Sequence, residues 1–198
     1  PVIASIPGNN LQLTIDIELQ KAVESAMDNQ TGAVLVMQPR TGEILAMASM
    51  PAYDPNWFVN GIDPNLWNQL LNDEDHPLEN KIVQGVYPPG SIFKLVTAYA
   101  ALDQQLIEPN HEETCNGYFY VKGRRTPFKC WKSGGHGPAD LIESIRGSCN
   151  IYFYQLAMEM GVDKLAHYAK MMMFGEKLDL GFAGEKAGLI PDSDWKRT

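Results

Sequence analysis

Long apolar segments are missing from this chain of 198 residues. No run of about 18 apolar residues occurs, so no segment is expected to span a membrane. Basic side chains are scarce too: 16 Lys and Arg face 24 Asp and Glu, for a net charge of -8. That balance, without a basic stripe, excludes a typical nucleic-acid binder. Repeats and low-complexity segments are also absent, and 44% hydrophobic residues predict one globular domain with a real core.

Cysteine is sparse, and its placement is uneven. Cys115, Cys130 and Cys149 all fall within 35 positions, and His136 stands between the last two. The pattern Cys-x14-Cys-x5-His-x12-Cys supplies the four ligands of a tetrahedral Cys₃His zinc site. The alternative is a Cys115–Cys130 disulfide in an oxidising compartment, with Cys149 simply buried. An odd number of cysteines favours the metal site.

The apolar pattern predicts a mixed helix and strand fold, α+β in type. A strand at Leu11–Ile15 leads into a helix that Asp16 caps and that runs to about Asp28. Residues 32–37 and 43–50 are apolar runs on either side of a Gln-Pro-Arg-Thr-Gly turn, which predicts a β-hairpin. Further helices are expected over residues 139–147, 150–160 and 163–174, irregular segments over 51–87 and 108–137, and core packing for Tyr152–Tyr154 and Met171–Met173.

The segment Ser91-Ile-Phe-Lys94 carries the clearest chemistry. A serine and a lysine three positions apart share a face only on a helix. Tyr87-Pro-Pro-Gly90 cannot continue a helix, whereas residues 95–102 form a good helical run, so Ser91 is expected at a helix start. Free N–H groups and the positive end of the helix dipole favour negative charge there. A neutral Lys94 can then take the serine proton, although a capping serine and a surface lysine are the usual explanation of this spacing taken alone.

A second motif, Ser148-Cys149-Asn150, precedes another predicted helix. Together with Tyr-Pro-Pro-Gly-Ser-x-Phe-Lys at residues 87–94, it resembles the motifs of the penicillin-binding transpeptidases, the enzymes that cross-link peptidoglycan. The resemblance covers essentially the whole chain. It is strongest to the monofunctional, elongation-specific class of Gram-negative rods, and it is very specific only around residues 87–94.

This resemblance implies the serine transpeptidase/β-lactamase-like fold, in which an antiparallel sheet lies beside a helical subdomain. Residues 1–10 would be a linker from an absent upstream pedestal domain, and residues 11–198 the N-terminal and central part of the transpeptidase domain. The family's third motif, Lys-Ser/Thr-Gly, is expected after Ser148, but the chain has only Lys132-Ser-Gly134, before it. The C-terminal strands are therefore expected to be missing. A membrane anchor upstream would place the protein at the periplasmic face of the inner membrane.

The resemblance also assigns roles to residues. Ser91 would attack the penultimate D-alanine carbonyl of a stem peptide, and Lys94 would act as general base. Ser148 would relay a proton to the leaving amine, and Asn150 would hold Lys94 and a substrate amide. Some relatives hold a zinc ion in the region of the cysteines, with aspartates at some ligand positions. The implied partners are stem peptides, β-lactams, a membrane glycosyltransferase and elongation-complex proteins, without nucleic acid.

Two rival functions share these motifs. A serine β-lactamase needs a deacylating glutamate past Ser-x-Asn, and Glu185 stands at such a spacing. The asparagine expected four residues later is Leu189, which makes Glu185 a structural loop residue. A β-lactam or muropeptide sensor would acylate and stay acylated, but it normally carries a signalling segment, and none is visible.

Overall fold

The computed structural model describes residues 8–197, which fall into two compact units. One unit contains residues 8–85 with 182–184, and the other contains residues 86–181 with 185–197. The first combines helices with one small antiparallel sheet, and the second combines helices with two. Within residues 8–197, no helix has both the length and the apolar character needed to cross a bilayer.

The first unit begins with helix α1 (Ile17–Ala26) and a hairpin of β1 (Gly32–Met37) and β2 (Ile44–Met50). The carboxylate of Asp16 accepts hydrogen bonds from the backbone N–H groups of Glu18 and Leu19, which fixes the start of α1 as predicted. The hairpin is also confirmed, and its register shifts between Val36 and Met37.

The strand predicted at Leu11–Ile15 is wrong, because this segment forms no ladder. Thr14 Oγ1 donates to Ile44 O at 2.6 Å, and Asp16 N donates to Leu45 O at 2.9 Å. The segment therefore runs beside β2 through single hydrogen bonds, which hold its position without extending the sheet.

Residues 51–87 are less irregular than predicted. They contain a 3-10 turn at Pro55–Phe58 and helix α2 (Pro64–Asn72). The Asp63 carboxylate caps α2, and Pro64 occupies the first turn, where its missing N–H costs nothing. Both signals stand in the sequence, so this helix was predictable from its cap.

The second unit packs three helices against one another: α3 (Lys94–Asp103), α5 (Asn150–Met160) and α6 (Val162–Met171). A short helix, α4 (Leu141–Arg146), precedes α5. The core lies where the alanine-rich face of α3 meets α5, because small side chains let the two backbones approach closely. Its most buried members include Ala100, Ala101, Ile151, Tyr152 and Leu156.

The loop predicted at residues 108–137 instead contains two small sheets. Strand β3 (Glu113–Cys115) pairs with β6 (Gly137–Ala139), and β4 (Tyr118–Phe119) pairs with β5 (Phe128–Lys129), all antiparallel. Strands of two or three residues are too short to leave an alternating pattern in the sequence. Gly135 closes the sheets tightly: a Cβ there would lie 2.0 Å from Cys115 O, so only glycine fits.

Of the two apolar runs expected in the core, one is misplaced. Tyr152 and Phe153 are buried as predicted. The methionines at 171–173 are 57%, 39% and 54% exposed, so their prediction as core residues is wrong. Helix α6 ends at Met171, and the chain then turns, with Met173 at a positive φ of 65°. The three side chains therefore do not continue the buried face of α6.

Candidate active site

Ser91 lies in a 3-10 turn, Gly90–Phe93, that leads directly into α3. The prediction of a serine at a helix start is therefore confirmed, with Lys94 as the first α-helical residue. Gly90 has a φ of +60°, a conformation that favours glycine and that turns the chain from the Pro-Pro segment into the helix. The Ser91 side chain is exposed at this corner.

Lys94 Nζ donates three hydrogen bonds, and all go to the second motif. The acceptors are Ser148 O at 2.7 Å, Ser148 Oγ at 2.9 Å and Asn150 Oδ1 at 2.8 Å. Burial lowers the pKa of Lys94, while negative charge on Cys130 and Cys149 opposes that shift. The lowered pKa increases the fraction of neutral amine, which is the form that a general base needs.

Ser148 connects the lysine to the nucleophile. Its Oγ lies 3.0 Å from Ser91 Oγ and within hydrogen-bonding distance of Lys94 Nζ. Among the described residues, no hydrogen bond joins Ser91 to Lys94 directly. Ser148 also has a φ of +48°, which is uncommon for a residue other than glycine and which often marks a functional turn. The geometry therefore offers a proton path from Ser91 through Ser148 to Lys94.

Asn150 stands at the first position of α5 and uses both ends of its amide. Its Oδ1 accepts from Lys94 Nζ, and its Nδ2 donates to Lys129 O at 3.2 Å. Asn150 thus links the lysine to the end of β5. The structure brings together all four residues singled out from the sequence, and their chemical roles stay predictions.

A cavity of about 380 Å³ opens beside these residues. Ser91, Lys94 and Asn150 form its polar edge, and apolar side chains form most of the remaining wall. The combination of an apolar pocket and a few converging polar groups is typical of a small-molecule or peptide site. The apolar lining consists of Phe93, Phe153, Tyr154, Ala157 and Leu165.

Sequence reasoning missed Trp131. Its indole Nε1 donates to Gly147 O at 3.0 Å and to Ser148 O at 3.2 Å, although the side chain is 66% exposed. The Ser148 carbonyl therefore accepts from both Trp131 and Lys94. A contact between residues 17 positions apart leaves no local pattern; the only available signal was a tryptophan directly after a predicted metal ligand.

Replacing Trp131 by phenylalanine in the intact protein is expected to slow β-lactam acylation about fivefold, because the Ser148 turn loses the shared hydrogen bond of one indole N–H, worth about 1 kcal/mol. Stopped-flow measurement of the acylation rate with a fluorescent penicillin checks this. Trp67→Phe, an equally conservative change on α2, serves as the control and should keep the parental rate. A parental rate in Trp131→Phe would contradict the proposed support of the turn.

The four predicted metal ligands also come together. The ligand atoms of Cys115, Cys130, His136 and Cys149 all lie within 4.8 Å of one another. The three cysteines are buried free thiols, and His136 Nδ1 lies 3.5 Å from Cys130 Sγ. His136 Nε2 is buried without a hydrogen-bond partner among the described residues. The cluster therefore brings together the end of β3, the segment after β5 and the start of α5.

Glu185, the residue that a β-lactamase would need, is engaged elsewhere. Its carboxylate accepts hydrogen bonds from Leu178 N at 2.6 Å and from Leu180 N at 3.3 Å. A carboxylate that closes its own loop in this way matches the structural role predicted for Glu185.

Comparison with known proteins identifies the relatives of this site. A family model described as the penicillin-binding protein transpeptidase domain matches residues 32–198. The peptidoglycan D,D-transpeptidase MrdA of Acinetobacter baumannii is 38% identical over 189 residues, which are 96% of this chain and 28% of that protein. The chain thus spans less than a third of this curated relative.

Solved structures agree with the sequence match. Pseudomonas aeruginosa PBP2 in complex with WCK 5153 is 39% identical with a TM-score of 0.90, over 97% of this chain and 42% of that chain. Helicobacter pylori PBP2 in its complex with MreC is 35% identical with a TM-score of 0.89, over 94% of this chain and 35% of that chain. These similarities confirm both the predicted resemblance and the predicted fold.

Proposed function

The chain belongs to the penicillin-binding protein transpeptidase domain family, and we propose that it is part of a peptidoglycan D,D-transpeptidase that cross-links the cell wall during elongation. Ser91 forms an acyl-enzyme with D-Ala-D-Ala stem peptides, and β-lactams inhibit the protein by acylating the same serine. The observation that carries this proposal is the continuous set of hydrogen bonds from Ser91 through Ser148 to Lys94.

Acylation begins when Ser91 Oγ attacks the carbonyl carbon of the penultimate D-alanine. The hydroxyl proton passes to Ser148, and the Ser148 proton passes to neutral Lys94, so that no charge is left on either hydroxyl. The backbone N–H of Ser91, at the start of the helix, supplies one donor to the developing oxyanion. When the C–N bond breaks, Lys94 returns its proton through Ser148 to the amine of the terminal D-alanine, which leaves.

The second half of the reaction reverses these proton transfers. An amine of a neighbouring stem attacks the ester carbonyl and loses a proton toward Ser148 and Lys94. The bond to Ser91 Oγ breaks, the serine regains a proton, and a new amide joins the two stems. Asn150 supports both halves, because its Oδ1 holds Lys94 and its amide lies at the edge of the cavity.

We propose zinc as the ion of the four-residue cluster. Three thiols and one imidazole are the donor set of a closed structural zinc site. Two observations support the fit: the donor atoms lie within 4.8 Å of one another, and His136 Nε2 is a buried polar atom without a partner among residues 8–197. Bound zinc supplies a crosslink, not a catalytic step. Cys149 separates Ser148 from Asn150, so the crosslink would hold the backbone that presents both.

A location and partners are proposed from the family resemblance. We propose that the intact protein works at the periplasmic face of the inner membrane, with a membrane glycosyltransferase and elongation-complex proteins. The complex of Helicobacter pylori PBP2 with MreC supports a partner of that kind for this chain.

Incubation of the intact protein with a penicillin tests the proposed function. We expect a mass increase of one inhibitor per chain that persists for hours, and peptide mapping should place it on the peptide that contains Ser91. A rapidly lost adduct would indicate a β-lactamase instead. Ser91→Ala is the control, and full labelling of that variant would refute the assignment. Release of D-alanine from a D-Ala-D-Ala peptide separates a transpeptidase from a sensor.

A further inference from the structure

Residues 118–132, called here the cationic hairpin, contain β4, β5 and the segments next to them. We propose that the outer face of this hairpin binds a side-chain carboxylate of the peptide whose D-Ala-D-Ala end reacts with Ser91. This inference rests on the proposed function and adds to it a chemical preference: the stem peptide is recognised as an anion, upstream of the reacting bond.

The charge of the hairpin is opposite to that of the rest of the chain. The hairpin holds five of the 16 basic residues, whereas all 24 Asp and Glu residues lie outside it. Within residues 8–197, none of the five cations forms an ion pair with a carboxylate. Cations without a carboxylate partner, collected in one short segment of an acidic protein, complement an anionic ligand. The five residues, all exposed, are Lys122, Arg124, Arg125, Lys129 and Lys132.

The pairing of the two strands decides which side of the hairpin is free. Phe119 pairs with Phe128, and both rings pack near Tyr154, at centroid distances of 6.0 and 5.4 Å. Tyr118 pairs with Lys129, and alternation along the strands places these two side chains on the opposite face. Tyr118 is 51% exposed and Lys129 is also exposed. The free face thus offers an aromatic ring beside an ammonium group.

The hairpin backbone at Lys129 lies close to the reactive serine. Lys129 O accepts from Asn150 Nδ2, Asn150 Oδ1 accepts from Lys94, and Ser148 joins Lys94 to Ser91. Four hydrogen bonds and one amide group separate Ser91 Oγ from Lys129 O, so the two atoms are at most ~14 Å apart. An extended peptide covers about 3.3–3.6 Å per residue. A carboxylate within about four residues of the reacting bond therefore reaches the hairpin.

Competition with a fluorescent penicillin for Ser91 tests the inference on the intact protein. Two D-Ala-D-Ala peptides are compared that differ only by a glutamate or a glutamine two residues before the reacting pair. At low salt we expect the acidic peptide to compete about fivefold better, the upper range for exposed charge pairs. The preference should fall toward unity near ~1 M salt, because the ions screen the exposed charges.

Two variants test whether the preference for the acidic peptide comes from this face or from the overall charge of the protein. Lys129→Gln should reduce the preference for the acidic peptide at least twofold, whereas Lys164→Gln, the same charge change on α6, should leave the preference as it is. Equal competition by the two peptides, or an undiminished preference in Lys129→Gln, would overturn the inference but leave the proposed function standing. Failure of the protein to form any penicillin adduct overturns the proposed function and the inference with it.

Discussion

Alanine in place of Lys94 is expected to slow the acylation of Ser91 by a penicillin about 10²–10⁴-fold, the usual contribution of a positioned general base. The loss follows from the site geometry, since Lys94 is the only cation that hydrogen-bonds to Ser148 among the described residues. Without it, the proton that leaves Ser91 has no acceptor beyond a neutral hydroxyl. Rapid-mixing measurement of adduct formation on the intact variant gives the rate.

The substitution also removes three hydrogen bonds from the Ser148–Asn150 turn, so folding must be measured alongside. A melting temperature within a few degrees of the parent would assign the slower rate to lost proton transfer. The control is Lys170→Ala, which removes the ion pair between Lys170 on α6 and Asp192. This variant should keep the parental acylation rate. Asn150→Ala should cost less than Lys94→Ala. A parental rate in Lys94→Ala would show that another group is the base.

Removal of zinc by a chelator should lower the melting temperature and slow acylation in the same titration. Metal that binds only the folded protein, at about 1,000 times its dissociation constant, stabilises it by about 4 kcal/mol. For a domain of this size that corresponds to about 8–16 °C. The coupling to acylation arises because Cys149 lies between the two residues that contact Lys94.

Metal analysis of protein purified without added zinc should find about one zinc per chain, as a closed four-ligand site requires. Return of zinc after chelation should restore both the melting temperature and the acylation rate, which distinguishes metal loss from damage by the chelator. Protein without metal but with a Cys115–Cys130 disulfide would contradict the zinc site. If the melting temperature falls while the acylation rate stays unchanged, zinc stabilises the fold but is not coupled to the active site.

The site was predictable from the sequence where its chemistry is local. Ser91 and Lys94 lie within one helical turn, and Ser148 and Asn150 are two residues apart, so spacing alone places each pair together. What spacing cannot give is the contact between the pairs, which depends on the packing of α3 against α5. The contacts of Trp131 and Lys129 with the motif were missed for the same reason, since they cross between distant parts of the chain.

The fold shows the same division between local and distant causes. Capping by Asp16 and the turn between β1 and β2 are local, and both were predicted. The sheets at residues 113–139 are held by pairing between strands of two or three residues, which have no periodicity of their own. Exposure of Met171–Met173 depends on where α6 ends, whereas composition alone suggested a core.

The Ser148 carbonyl accepts hydrogen bonds from two side chains, and this affects how such proteins can evolve. Lys94 and Trp131 both bind an oxygen of the main chain, which every amino acid carries. Substitutions at position 148 or 149 can therefore remove the Ser148 hydroxyl or the proposed metal ligand Cys149. They would still leave the main-chain carbonyl that orients Lys94. We expect the zinc proposed at the buried Cys149 to limit which residues are tolerated there, whereas the carbonyl that anchors Lys94 should persist even if the ligand type at position 149 changes.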